Sequence, residues 1–193
     1  MGGKNLYFRG DYKVFFDEDN PQLTAFEHMQ STFNKNENAA IIIAPKSGNV
    51  FSKETLTLIK NMTDQAWLTP NSSRVDSITN YQHTWAQEDD LIVEDLVPDL
   101  ATLDQQTIAR AREVALKEPN LVKRMVSEKG HVAVINITVQ LPDADTPKTA
   151  LDTSIAVNDI TGFIIKMTEE YKAQYPDHDF YHTGIVFMSH SFA

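Results

Sequence analysis

The chain has no cysteine among its 193 residues. That removes disulfides, thiolate nucleophiles and cysteine-ligated zinc. It leaves the compartment open, because a periplasmic domain of this size can fold without disulfides. Glycine is scarce, at 7 residues, so glycine-rich phosphate cradles have little material. No phosphate-binding loop, dinucleotide fingerprint or G-x-S-x-G nucleophile turn occurs. Long apolar runs are missing too. The longest, such as 39–45 and 132–135, are strand-sized, well short of the roughly 20 residues of a membrane helix. Positive charge is in deficit: 17 lysines and arginines face 27 acidic residues, for a net charge of −10 and a pI near 4.9. Nucleic acid and anionic membrane surfaces both call for a basic patch, so neither is an expected partner. Acidity by itself supplies solubility.

What remains is ordinary globular composition, 41% hydrophobic and 23% charged, long enough for a sizeable core and free of short repeats or low-complexity tracts. Tyr12–Phe16 reads as a strand, and Asn20 as the N-cap of a helix over Pro21–Asn34 with proline at its first position. The apolar run Ala39–Ala44 reads as a strand covered on both faces. Ser52 caps a helix through Trp67. Val75–Trp85 looks extended, and Leu91–Val93 is a short strand that can pair with it. Helices are expected over Thr102–Lys117 and from Pro119 to about Glu128, with Gly130 as a C-terminal stop. His131–Leu141 alternates as a strand should, Thr149–Tyr175 carries a broad apolar helical stripe, and Phe180–Met188 reads as a last strand.

These elements give a β-α-β frame, an insertion over about 45–130, then β-α-β. The expected fold is α+β: a ferredoxin-like split β-α-β sandwich, helices on one face of a mostly antiparallel sheet, with a helical and β insertion. First and last strands are then antiparallel neighbours, and the chain enters and leaves at one edge.

Candidate chemistry is thin. His178, Asp179 and His182 sit close in sequence, but on a strand residues i and i+4 lie roughly 13 Å apart, too far to share a metal ion. Asp17, Glu18 and Asp19 lack the glycine and distal glutamate of a calcium loop and suit the positive end of the following helix. Glu88, Asp89, Asp90, Glu94, Asp95, Asp99 and Asp104 form an acidic patch with no basic residue between Gln87 and Gln105. It reads as a solvated face or a docking surface for a basic segment rather than an acid–base pair. Trp67, Trp85, Phe163 and Phe187 are candidates for an apolar groove, although large aromatics more often fill cores. No catalytic, metal-binding or cofactor-binding residue is assigned, and no cofactor is expected.

Two stretches, DYKVFFDEDNPQLTAFE at 11–27 and RVDSITNYQHTWAQEDDLIVEDLV at 74–97, resemble the first extracytoplasmic loop of RND-superfamily, MMPL-like predicted exporters. Asn20, Pro21, Arg74, Asp76, Asn80, Gln82, Glu88, Asp89 and Asp90 carry the resemblance and are expected to shape turns and subdomain contacts. The resemblance implies a periplasmic porter domain of a proton-driven exporter of lipids or other hydrophobic molecules. Its partners would be the parent's membrane helices, its second extracytoplasmic loop and the cargo. The proton-coupling carboxylates of such exporters lie in membrane helices, so none carries over. On this reading 11–190 is one extracytoplasmic domain, and 1–10 is an expression remnant or membrane-proximal linker. The alternatives are a free-standing periplasmic ligand-binding or sensor module, and a hydrolase built on the His178–His182 region.

Overall fold

The computed structural model describes residues 20–22, 24–25, 37–87, 90–142 and 146–192. The strand expected at 12–16 and most of the helix expected over 21–34 lie outside them. Where that helix begins, the Asn20 side chain accepts a hydrogen bond from the Gln22 amide at 2.9 Å, as an N-cap does.

Four strands make the main sheet: β1 (Glu37–Pro45), β2 (Ser72–Asp76), β5 (Ala133–Val139) and β6 (His178–Thr183), in the order β2-β5-β1-β6. Every neighbouring pair is antiparallel. Helix α1 (Lys53–Ala66) links β1 to β2, and the long α3 (Pro147–Gln174) links β5 to β6. This is the split β-α-β arrangement. Its first half is drawn from β1, α1 and β2. The intervening insertion accordingly runs over 77–132 rather than 45–130, because the run expected to close the first half, AIIIA, instead sits at the centre of the sheet as β1.

The pleat explains the layering. Ala39, Ile41 and Ile43 of β1 and Ala133, Ile135, Ile137 and Val139 of β5 are fully buried on one face. Ile41 lies opposite Ile135 and Ala39 opposite Ile137. Against that face pack Leu56, Ile59 and Met62 of α1 and Ile160, Ile164 and Met167 of α3, at the spacing that one helical stripe requires. Both helices are capped by hydroxyls: Ser52 accepts from the Thr55 amide, and Thr146 forms a reciprocal box with Thr149 ahead of Pro147.

The insertion contributes the hairpin β3 (Gln82–Gln87) and β4 (Asp90–Asp95), then α2 (Gln105–Lys117), capped by Asp104. Leu96, Val97, Leu103, Ile108, Ala111, Leu121 and Val126 join the same core as the sheet and its helices. A backbone bond from Val50 to the Gly130 carbonyl, at 2.8 Å, ties the end of the insertion to the β1–α1 loop.

Three expected elements differ. The extended run expected over Val75–Trp85 is broken: β2 ends at Asp76, the chain bends over 78–80, and β3 starts at Gln82 in the separate ribbon. Residues 119–128 form turns and isolated bridges, not a helix: Val126 bridges to Ala133, and Lys123 takes a φ of 66° that no helix tolerates. The segment extends the edge of β5 instead. The strand expected over Phe180–Met188 ends at Thr183. Gly184, at φ 104°, turns the chain into α4 (Ile185–Phe192), whose Met188 amide donates to the Gly184 carbonyl at 3.0 Å. A short apolar run such as IVFM has no period that separates strand from helix.

Gly184 is fixed twice over, because a Cβ there would come within 2.5 Å of the Asn38 carbonyl oxygen. We expect Gly184→Ala to destabilise the protein by at least about 2 kcal/mol. Gly48→Ala, at φ 69° with open space around it, should cost only about 1 kcal/mol. Urea unfolding midpoints for the two variants check this order.

Candidate functional site

The chemistry-bearing side chains of β6 alternate across the sheet. His178, Phe180 and His182 face the helices, while Asp179, Tyr181 and Thr183 face the other way and are exposed. The His178 Nε2 lies 2.9 Å from the Thr55 hydroxyl of α1, and the Tyr175 ring meets the imidazole edge-on at 5.7 Å. His178 is 4% exposed, and its Nδ1 has no hydrogen-bond partner. The His182 Nε2 lies 2.9 Å from the Thr168 hydroxyl of α3, and its ring stacks on Phe187 of α4 at 4.8 Å. Each imidazole thus serves a different helix, and the two do not converge. Among the described residues no group of three or more histidine or carboxylate side chains is placed to hold a metal ion.

Beyond His182, the turn at Gly184 opens a shallow cleft of about 490 Å³ lined by Asn38, His182, Gly184, Phe187, Met188 and Ser191. The Asn38 amide donates to Asn136 across the sheet at 2.9 Å. The Ser191 hydroxyl donates to the Phe187 carbonyl of its own helix, at 2.9 Å, and not to His182. Hydrogen bonding and apolar contact are what such a cleft offers; its serine is not activated by the neighbouring imidazole.

Residues of the 74–97 stretch build the junction between frame and insertion. The Arg74 Nε pairs with Asp76 at 2.8 Å. The Asn80 Oδ1 accepts from the Ser77 amide at 2.8 Å, while its Nδ2 donates to the Val75 carbonyl at 2.7 Å. Beneath them the buried hydroxyls of Thr63, Ser77 and Thr79 are linked at 2.9 and 2.8 Å. Gln82 opens β3 opposite Asp95, and Asp90 opens β4 opposite Gln87. Glu88 and Asp89 lie outside the described residues, as do Asp17, Glu18 and Asp19.

The four large aromatics do not share a groove. Phe163 and Phe187 pack against the core, whereas Trp67 is 48% exposed at the end of α1. Trp85, on β3, lies beneath the Arg110 guanidinium of α2 at 3.7 Å, with His83 stacked beside it at 5.7 Å. The sequence carried no signal for the Arg110–Trp85 pair or for the two threonine partners of the histidines.

Burial holds both His178 and His182 below the ordinary imidazole pKa; Glu54 and Asp177 partly offset this at His178, and Glu169 at His182. The folded protein therefore binds these protons less readily than the unfolded chain, so their contribution to stability is complete above the unfolded value of about 6.5 and is lost as pH falls below it. Both histidines should therefore cost stability over the pH window just below about 6.5, where the unfolded chain takes up the protons first. Urea unfolding across that window should show the loss, and His178→Gln should flatten it. A wild-type stability that rises on acidification would contradict the assignment.

No protein-family model matches the chain, and no curated protein does.

Proposed function

We propose that the chain is the first extracytoplasmic domain of a proton-driven, MMPL-like exporter of the RND superfamily, serving the capture or passage of a hydrophobic or lipid-like cargo. The observation that carries this reading is apolar surface left exposed among the described residues. Leu68, Leu91, Val93, Leu151 and Ile155 are each at least 50% exposed. Leu91 with Val93 on one side of a strand, and Leu151 with Ile155 one helical turn apart, leave paired apolar surface that suits a domain packing against further parts of a larger protein.

Two other features support it. The split β-α-β frame sets β1 and β6 side by side and antiparallel. The family-like residues Arg74, Asp76 and Asn80 organise the turn from which the insertion departs. No helix among the described residues is long and apolar enough to cross a membrane, so this part of the chain would lie outside the bilayer. The role is mechanical and non-covalent: apolar surface between this domain and its neighbours opens and closes as membrane helices rock.

The test is the gene. We expect sequence on either side of the coding segment to encode an apolar span of about 20 residues just before residue 1 and another soon after residue 193. A reading frame that starts and stops at these residues would overturn the exporter reading. A free-standing ligand-binding module would then lead, and the cleft beside His182 would be its first candidate site.

A further inference from the structure

The β3–β4 ribbon has two unlike faces. Inward, Trp85 lies opposite Ile92 and takes the Arg110 guanidinium on its ring. Outward, Thr84 lies opposite Val93 and Ala86 opposite Leu91. Leu91 is 72% exposed and Val93 53%. The ribbon is a two-stranded sheet of its own, and nothing among the described residues covers this outer face.

Its charge setting is one-sided. From Val75 to Ala109 the chain carries 8 acidic residues and no lysine or arginine. The flanking arginines are engaged, Arg74 with Asp76 and Arg110 with Trp85. Asp95 closes one end of the outer face, across from Gln82. An apolar strip inside a field of one sign selects its occupant by charge. A second copy would bring acidic ribbon against acidic ribbon, and an anionic bilayer would be repelled in the same way.

We infer that the outer face of the β3–β4 ribbon docks a polypeptide segment whose apolar side chains are flanked by lysine or arginine. Leu91 and Val93 supply the apolar contact, and Asp95 at the end of the face, within a stretch that carries charge of one sign, attracts the basic flank. The inference concerns this surface alone and does not rest on the exporter reading.

The test uses the whole chain and a short peptide alternating lysine and valine, with lysine–serine and glutamate–valine peptides as controls, titrated calorimetrically at low and physiological salt. The lysine–valine peptide should bind, more weakly as salt rises, and the glutamate–valine peptide should not. The double variant Leu91→Ser, Val93→Ser should weaken binding roughly tenfold or more, since two apolar side chains lose their burial, with circular dichroism unchanged. Thr84→Lys, which places a positive charge on the same face, should also weaken it. Equal binding of the lysine–serine peptide would reduce the surface to counterion attraction and overturn the inference, as would unchanged binding by the double variant. Self-association of the wild type that the double variant abolishes, seen by sedimentation, would assign the face to a second copy instead. Leu91-dependent binding to phosphatidylcholine vesicles would assign it to lipid.

Discussion

The structure depends on the central strand β1 being apolar on both faces while pairing on both edges. Ile41 and Ile43 bury completely under α1 and α3, and Ala40 on the opposite face is only 5% exposed. On one edge Ile41 faces Ile135 of β5; on the other it faces His182 of β6. A one-residue slip of β1 would exchange its two faces and break both ladders together. The last strand also feeds α4 through Gly184, which touches the backbone at Asn38 and Ala39. The two ends of the frame are therefore locked to the same strand.

The outer strand β6 is held differently. Its inward positions alternate imidazole, ring, imidazole, and both imidazoles satisfy a helix threonine rather than simply filling volume. A buried polar pair is worth little net when complete but is costly when broken. Thr55 and Thr168 thus act as registry pins, one for each crossover helix. The arrangement fixes where α1 and α3 sit along β6, which a purely apolar contact would leave freer to slide. It also makes this edge sensitive to acid, because a protonated His178 would be a buried cation with an unpartnered nitrogen.

Much of this was legible where the periodicity was unambiguous. The alternation of 133–139, the stripes of α1 and α3, and the Ser52 and Asn20 caps declare themselves in sequence, whereas the Thr146 cap does not, since the sequence pattern places the start of the long helix only at Thr149. The partition of the frame did not, because the first seventy or so residues contain two strand-then-helix patterns, 12–34 and 39–67, and only the pairing of β1 with both β5 and β6 chooses between them. Ile185–Met188 carried no period, and the turn at Lys123 needed a left-handed residue that lysine does not advertise. At the candidate site, His178 and His182 stood out as residues, but the Thr55 partner lies 123 positions away. The short apolar run Leu91–Val93 read as a strand, yet such a run does not say which face another element covers. That is why the exposure of Leu91 and Val93 appears only in the structure.

The insertion is not an appendage. Its core residues are continuous with those of the frame, and its departure point is a knot of buried hydroxyls and the Asn80 amide rather than a flexible linker. A force applied at the β3–β4 ribbon would pass through Arg110 and Trp85 to α2, and from Ala111 and Ala115 of α2 into the core beneath the main sheet. Charge pulls in the other direction, since the acidic run repels itself and works against compactness. Arg110 opposes that repulsion on the inner face of the ribbon. With no lysine or arginine between it and Arg74, further neutralisation of the ribbon has to come from beyond this stretch. A partner that brings positive charge to the outer face would therefore also stabilise the ribbon, by the general rule that a ligand favours the state it binds.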